Sequence, residues 1–264
     1  MSIYFKQIKN RLPNVVLAIT LLLFFNSCTS KDDNNDWTKD NLKGEVTSFT
    51  EKSYEFINDA KEEYPYKNIQ KNYDEKGYML EENNYKLDGS LDYQFINRYT
   101  DDGRLIDKKN IYANGHVSYK WIYEYDEQGN VIKHSIFNSN DELTLYRLLV
   151  NDENGNRVES KERYVHNPEG VISRKTYEYD EDGNNIQVNI FSPANGELTL
   201  YHIFAYDDKG NPIIENIYNA DDELDTEWRY DYVYDDEDNW IKKTEYEVGQ
   251  PPKTTTTREY VYYD

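Results

Sequence analysis

The sequence predicts an all-β fold: one long antiparallel meander of about 15 strands, curled strongly or closed like a barrel. Three observations carry this expectation. A turn motif typified by "YDEQGN" (125–130) recurs through the chain. A second series of polar turns falls midway between its copies. The stretches between turns alternate apolar and polar residues with a period of two.

The N-terminus stands apart from this pattern. Lys6, Lys9 and Arg11 give a positive start, an apolar run follows from Val15 to Phe25, and Ser27-Cys28 closes it. That order is the pattern of an export signal. The run is shorter than the roughly 20 residues a membrane-spanning helix needs, so residues 1–28 read as a signal segment. Cys28 is the single cysteine, which leaves no disulfide framework. Residues 29–43, opening "TSKDDNND", read as an acidic spacer, and residues 44–264 as the repeat domain.

The formal net charge is −21, and loss of residues 1–28 removes three cations and no acid, giving about −24. A surface so acidic repels nucleic acid, whose binding depends on clustered cations. High charge alone could mean disorder, but 27 tyrosines, nine phenylalanines and four tryptophans are placed regularly, as a folded sheet requires.

The repeats follow in order: "YDEKGY" (73–78), "YTDDGR" (99–104), "YDEQGN", "NDENGN" (151–156), "YDEDGN" (179–184), "YDDKGN" (206–211) and "YDDEDN" (234–239). The second series is "LDGS", "ANGH", "SNDE", "NPEG", "ANGE" and "ADDE". The chain thus turns about every 13 residues, which leaves strands of roughly 30 Å. In "HVSYKWIYEYD", Val117, Tyr119, Trp121, Tyr123 and Tyr125 point one way and Ser118, Lys120 and Glu124 the other. Leu224, Trp228, Tyr230, Tyr232 and Tyr234 repeat the aromatic face near the C-terminus. His202 interrupts the equivalent face at Leu198–Tyr206, and Arg147 falls where an aromatic is expected. An open sheet rarely exceeds about 10 strands, so curling with the aromatic face inward is expected. Pro251-Pro252 would suit an exposed edge strand.

A glycine, about nine residues, then Tyr-Asp-x-x-Gly-Asn and Ile or Leu resembles the YD repeat of Rhs-type proteins. The likeness covers roughly residues 70–240, with "YDEQGNVI" and "GVISRKTYEYDEDGNNI" the best copies. It implies a shell of β-hairpins, here without an appended toxin domain. The N-terminus likewise resembles a lipobox and export signal of Bacteroidota lipoproteins. That resemblance implies lipidation of Cys28 and an outer-membrane lipid anchor facing the cell exterior.

The turns invite a metal reading, which the spacing rejects. A calcium loop opening at Asp126 or Asp180 would need a carboxylate at its twelfth position, where Phe137 and Phe191 stand. Asp126, Gly129, Asp180, Gly183, Asp207 and Gly210 read instead as hairpin turn residues. His116, His134, His166 and His202 are dispersed, so no metal site and no cofactor is expected. Neither a nucleophile elbow nor a thiol is available to an enzyme. The candidate ligand-binding face comprises Tyr93, Tyr119, Trp121, Tyr123, Tyr177, Trp228 and Tyr230, flat rings with polar edges that suit a glycan or a protein. The competing role for these rings is mutual packing as a core. The expected function is a non-enzymatic binding or scaffold module at the cell surface. The alternatives are an immunity or structural envelope protein and, further off, an enzyme acting on extracellular polysaccharide.

Overall fold

A computed structural model describes residues 35–263 apart from 58 and 59. The expected signal segment, Cys28 and the first residues of the expected spacer lie outside the described residues. One short helix opens the fold, α1 (Asp36–Lys39), capped by the Asn35 side chain. The strands are β1 (Val46–Ile57), β2 (Ala60–Lys61), β3 (Lys67–Tyr73), β4 (Met79–Tyr85), β5 (Leu91–Tyr99) and β6 (Leu105–Tyr112). They continue as β7 (Val117–Tyr125), β8 (Val131–Phe137), β9 (Leu143–Asn151), β10 (Arg157–Tyr164), β11 (Val171–Tyr179) and β12 (Asn185–Phe191). The last five are β13 (Leu198–Tyr206), β14 (Pro212–Asn219), β15 (Leu224–Tyr234), β16 (Trp240–Glu247) and β17 (Thr254–Tyr262).

Consecutive strands pair antiparallel, and β1 pairs with both β3 and β17, so sixteen strands close into a barrel with β2 as a short addition. Closure removes the unpaired edges that a flat meander would carry. This corrects the expectation of an exposed edge near the C-terminus. Thr254–Val261 run beside β1, and Pro251-Pro252 lie in the turn from β16 to β17.

Each "YD" turn shows why its residues are there. The Asp126 carboxylate accepts the Asn130 backbone N–H at 2.8 Å, and Asp180 accepts those of Asp182 and Asn184 at 3.0 and 2.8 Å. Gly129, Gly183 and Gly210 hold φ of 91°, 84° and 80°, the left-handed region that glycine occupies without a Cβ clash. In "YDDEDN", Asp238 takes that position with φ 66°, as a short polar side chain can. A register shift follows at nearly every such corner, for instance between Glu124 and Tyr125, so each hairpin carries a bulge.

The motif tyrosine ties one hairpin to the one before it. Tyr99, Tyr125, Tyr179 and Tyr206 donate from their hydroxyls to the carbonyls of Met79, Leu105, Arg157 and Asn185, at 2.7–2.9 Å. Each target begins an earlier strand, where the bulge leaves a carbonyl that the ladder does not use. In the copy lacking the tyrosine, Asn151 donates from its side-chain nitrogen to Val131 at 3.0 Å, doing the same job.

The two rims of the barrel differ. At the rim of "YD" turns, a Cβ built on Gly103, Gly129 or Gly155 would meet Tyr78, Arg104 or Asn130 of the preceding copy. Residues 35–43, expected as spacer, are folded onto this rim. Asp36 and Trp37 donate their backbone N–H groups to Gly77, and the Asp36 carboxylate accepts Tyr99 of β5 at 2.6 Å. Five residues on, the Asn41 side chain donates to the Lys209 carbonyl in the β13–β14 turn at 3.0 Å. Strands β5 and β13 lie eight apart either way round the barrel. A helical stretch of five residues rises only about 8 Å, so this rim is drawn in and the segment crosses it as a cap. At the other rim, a Cβ on Gly89, Gly115, Gly196 or Gly249 would meet nothing within 4 Å.

The packed core sits under the cap. Leu42, Val46, Phe49 and Tyr73 are buried there, against Trp37, Met79, Tyr260 and Tyr262. The Trp37 indole donates to the Val46 carbonyl at 2.8 Å, which satisfies its one polar atom.

Candidate functional site

Residues directly opposite in an antiparallel pair share a face, so the register identifies the lining of the barrel. Phe49, Glu51 and Ser53 stand opposite Tyr260, Arg258 and Thr256, and this buried set fixes the inward face. Followed round the barrel, the same face carries Tyr93 and Phe95, then Lys108, then Tyr119 and Trp121, then His134 and Ile136. It continues through Tyr177 and Val188 to Glu215 and Trp228, and on through Tyr230 and Glu245. All seven candidate aromatics therefore face inward.

None of the seven belongs to the packed core. Tyr119 is 46% exposed, at the uncapped end of β7. Val188, Ile190, Leu200, Phe204 and Ile217, inward on β12–β14, are only half-buried. The interior beyond the cap is thus a lumen that water reaches, in keeping with the strand number at which barrels stop filling with side chains.

The structure divides the seven into separate patches. On the β5–β7 wall, Tyr93 meets Phe95 edge-on at 5.7 Å, Phe95 meets Trp121 at 6.0 Å, and Tyr119 lies 6.2 Å from Trp121. Lys108 places its ammonium 4.1 Å from the Phe95 centroid, a cation–π contact. Burial lowers its pKa. Tyr123 stacks on His134 at 5.6 Å, closer to the capped rim. Burial first, then Tyr125 beside it, raises Tyr123 to about 12. Burial, helped by Arg147 and Arg157, lowers His134 to about 4, so its ring is neutral. Neither of its nitrogens has a hydrogen-bond partner.

Trp228 and Tyr230 stand on β15, eight strands from β7 in either direction. Glu215 organises this second wall. Its carboxylate accepts the Tyr230 hydroxyl at 2.5 Å and lies 2.6 Å from His202 Nδ1. Lys253 sits 4.8 Å above the Trp228 ring. Tyr177 belongs to neither wall and bonds Ser160 at 3.1 Å. Sequence reasoning missed Phe95, Lys108, Glu215 and His202 as partners of the rings. Their signal was partly present, since each stands in phase with the inward face of its own strand, but a polar residue in phase reads as an interruption until its cross-strand partner is known.

A buried ion cluster closes the seam. Glu51 accepts Arg258 at 2.9 Å and Lys67 at 2.7 Å, while the Arg258 guanidinium lies between the rings of Trp240 and Phe49, at 3.8 and 4.3 Å. Burial alone would raise the Glu51 carboxyl; the Arg258 charge and the Lys67 bond outweigh it and hold the group below its ordinary range. Arg147, placed on the inward face where an aromatic was expected, bonds Glu162 across the β9–β10 pair at 2.8 Å.

The outward face carries ion pairs on β5–β8, β10–β11 and β15, while β12–β14 turn uncharged side chains such as Gln187, Tyr201 and Asn216 outward. Arg98 pairs with Asp107, Lys133 with Glu124, Arg174 with Glu159 and Arg229 with Glu227. An Arg or Lys on the lipid face of a membrane barrel would cost about 2–4 kcal/mol at mid-bilayer, and an Asp or Glu less. Where those pairs lie, the wall suits water.

Comparison with solved structures gives the same architecture. A porin-like protein from Bacteroides uniformis matches at a TM-score of 0.53 and 9% identity, over 82% of this chain and 98% of that one. A porin-like protein from Bacteroides vulgatus matches at 0.40 and 11% identity, over 83% and 98% of the two chains. A TcdB2–TccC3 chain matches at 0.33 and 16% identity, and there the likeness takes in 77% of this chain but 11% of the other. No family model matches the sequence, and no curated protein does. At these identities the Bacteroides uniformis likeness is one of fold: a closed antiparallel barrel.

Proposed function

We propose that this chain is a non-enzymatic binding module of the bacterial envelope, held to the outer membrane by lipid on Cys28, whose water-filled barrel takes up a glycan or protein segment. The observation that carries the reading is the pairing of outward ion pairs on β5–β8, β10–β11 and β15 with an inward aromatic lining exposed at the rim away from residues 35–43. A barrel whose outside suits water needs a tether to stay at a membrane, and the N-terminal signal supplies one. The chain ahead of Asn35 joins the barrel at the capped rim, where the Asn35 side chain bonds the Lys76 carbonyl at 2.8 Å. A tether there leaves the aromatic rim directed outward.

The electrostatics favour binding over hydrolysis. Glycoside cleavage needs one carboxyl held protonated near neutral pH. Glu51, Glu159 and Glu245 are all held below their ordinary range, and their partners are cations or hydroxyls. In the turns, the Asp126, Asp152 and Asp180 carboxylates are held below their ordinary range by the side-chain and backbone N–H groups of Asn130, Asn156 and Asn184.

The test is a glycan array probed with the chain from residue 29 onward, read together with quenching of tryptophan fluorescence. Binding that weakens on Trp121→Ala or Trp228→Ala supports the reading. An array without hits and a fluorescence that no extract of envelope polysaccharide changes would sink its glycan form.

A further inference from the structure

We infer that the occupant is a cationic peptide of another protein, and that the inward face of β14–β16 receives one of its lysine side chains. This rests on the binding role proposed above and narrows it to one partner chemistry. Trp228 has a carboxylate directly opposite on each side: Glu215 across the β14–β15 pair and Glu247 across the β15–β16 pair. Glu55 lies on the same inward face, at the end of β1, opposite Thr254. Glu215 is engaged by His202 and Tyr230. Glu247 and Glu55 are exposed, and neither carboxylate has a hydrogen bond or an ion pair among the described residues. The ring already shows which group it takes. Lys253, from the β16–β17 turn, holds its ammonium 4.8 Å from the Trp228 centroid, a cation–π distance. Lys253 is exposed and makes no ion pair, so a lysine of the partner can take its place on the ring.

Charge selects among the occupants. From residue 29 onward the chain is about −24, so an anionic polymer or a second copy is repelled. A cationic segment is drawn in, and faster at low salt. A neutral sugar would cover the Trp228 ring but leave Glu247 and Glu55 without a counter-charge, whereas a lysine-bearing segment answers both. The β5–β7 wall is different. There the ring of Phe95 is covered by Lys108, which belongs to β6 itself and is half-buried. That ammonium is fixed in the wall, while Lys253 sits on an exposed turn, so the incoming lysine goes to Trp228 rather than to Phe95.

The probe is a short peptide of alternating serine and lysine, blocked at both ends and titrated calorimetrically into the chain from residue 29 onward. A twin peptide carries acetylated lysines. The expected result is saturable binding that weakens about tenfold or more on acetylation and on Trp228→Leu, and about threefold on Glu247→Gln. Lys253→Gln should strengthen binding about threefold by clearing the ring. Lys86→Gln makes the same charge change in the β4–β5 turn of the same rim, and should alter affinity by less than about 1.5-fold. Equal effects of the two lysine substitutions would overturn the inference, because diffuse charge would then be the whole attraction. Equal binding of the acetylated twin would overturn it too, as would an affinity that Trp228→Leu leaves unchanged. Lys253→Gln lies in an exposed turn and removes no side-chain hydrogen bond, so it decides the matter if Trp228→Leu fails to fold. A chitosan oligomer bound at pH 6 where the peptide is not would assign this face to an amino sugar and overturn the peptide. Array hits that Trp228→Ala weakens, without peptide binding, would remove the peptide and leave the binding module standing. Neither hits nor peptide binding would remove both.

Discussion

The two rims of this barrel are made from turns of similar composition, yet one is locked and the other open. Both series use Asp or Asn to accept backbone N–H groups and a residue of positive φ to close the corner. The difference lies in what each turn has beside it. At the "YD" rim the sixth residue of the preceding copy lies beside Gly103, Gly129, Gly155 and Gly210, with Gly183 the exception, and motif tyrosines such as Tyr125 reach back to the preceding hairpin. At the other rim the strand ends carry rings such as Tyr112, Tyr119 and Tyr164, each more than two-fifths exposed. Stability and availability for binding have been separated along the barrel axis. The packed core and the buried ion cluster lie toward the cap, and the unsaturated aromatic surface lies away from it.

The comparison breaks most clearly with a pair of large-to-small substitutions. Phe49→Ala, in the core under the cap at 1% exposure, should cost about 3–5 kcal/mol in chemical unfolding. Trp121→Ala, on the lumen wall, should cost less than half as much, since water already reaches that surface. If the two cost the same, the lumen rings are core and the wall has no free face.

The seam charges come next. Glu51→Ala leaves Arg258 buried without its carboxylate and should cost about 3 kcal/mol. A pH dependence goes with it. The Glu51 pKa is lower folded than unfolded, so its contribution is present above the unfolded value and disappears as pH falls through the folded one. His134 acts in the same direction at higher pH: its value of about 4 lies below the ordinary 6.5, so stability declines as pH drops from about 6.5 toward 4. Urea midpoints from pH 7 down to 3 should show both declines. Glu51→Gln should flatten the lower one alone, and His134→Phe the upper one alone.

The glycines sharpen the contrast without touching any ring. Gly115→Ala forces a left-handed alanine and should cost about 1 kcal/mol. Gly155→Ala carries that same strain and also drives a Cβ to 2.8 Å from Asn130 Oδ1, so about 2 kcal/mol is expected. Equal midpoints for the two variants would mean that the stacking of "YD" turns contributes nothing.

These contrasts explain how far the sequence could be read. The 26–28-residue spacing of "YDEQGN" and its kin, with period-two strands between, is local information and announces an all-β meander directly. Closure followed from strand number, because an open sheet that wide is unstable against curling. The cap did not follow. Asp36, Trp37, Asp40 and Asn41 look like an acidic linker because their partners, Tyr99, Val46, Tyr73 and Lys209, are scattered over the chain. The candidate rings were legible as one face, since alternation reports facing. Their division between opposite walls depends on strand order round a closed barrel, which no local pattern carries. Glu215 was hidden for a similar reason: its partners His202 and Tyr230 sit on different strands, 13 and 15 residues away.

The smallest expected effect concerns the tyrosine of the motif itself. Tyr125→Phe keeps the ring and removes only the hydroxyl that donates to the Leu105 carbonyl at 2.9 Å. Loss of one such bond should cost about 1 kcal/mol. Tyr119→Phe, at the open rim, removes a hydroxyl from a ring that is 46% exposed and should change stability by less than about 0.5 kcal/mol. Asn151 supplies a control within the same chain, because its side-chain nitrogen already replaces the tyrosine hydroxyl toward Val131. Asn151→Leu should therefore cost about as much as Tyr125→Phe, although it removes an amide rather than a phenol. If Asn151→Leu is neutral while Tyr125→Phe is not, then the motif tyrosine acts through its ring packing and the carbonyl bond is incidental. If both cost the same and Tyr119→Phe costs nothing, the tyrosines near the cap are fasteners between hairpins, and those at the open rim are left to meet a partner.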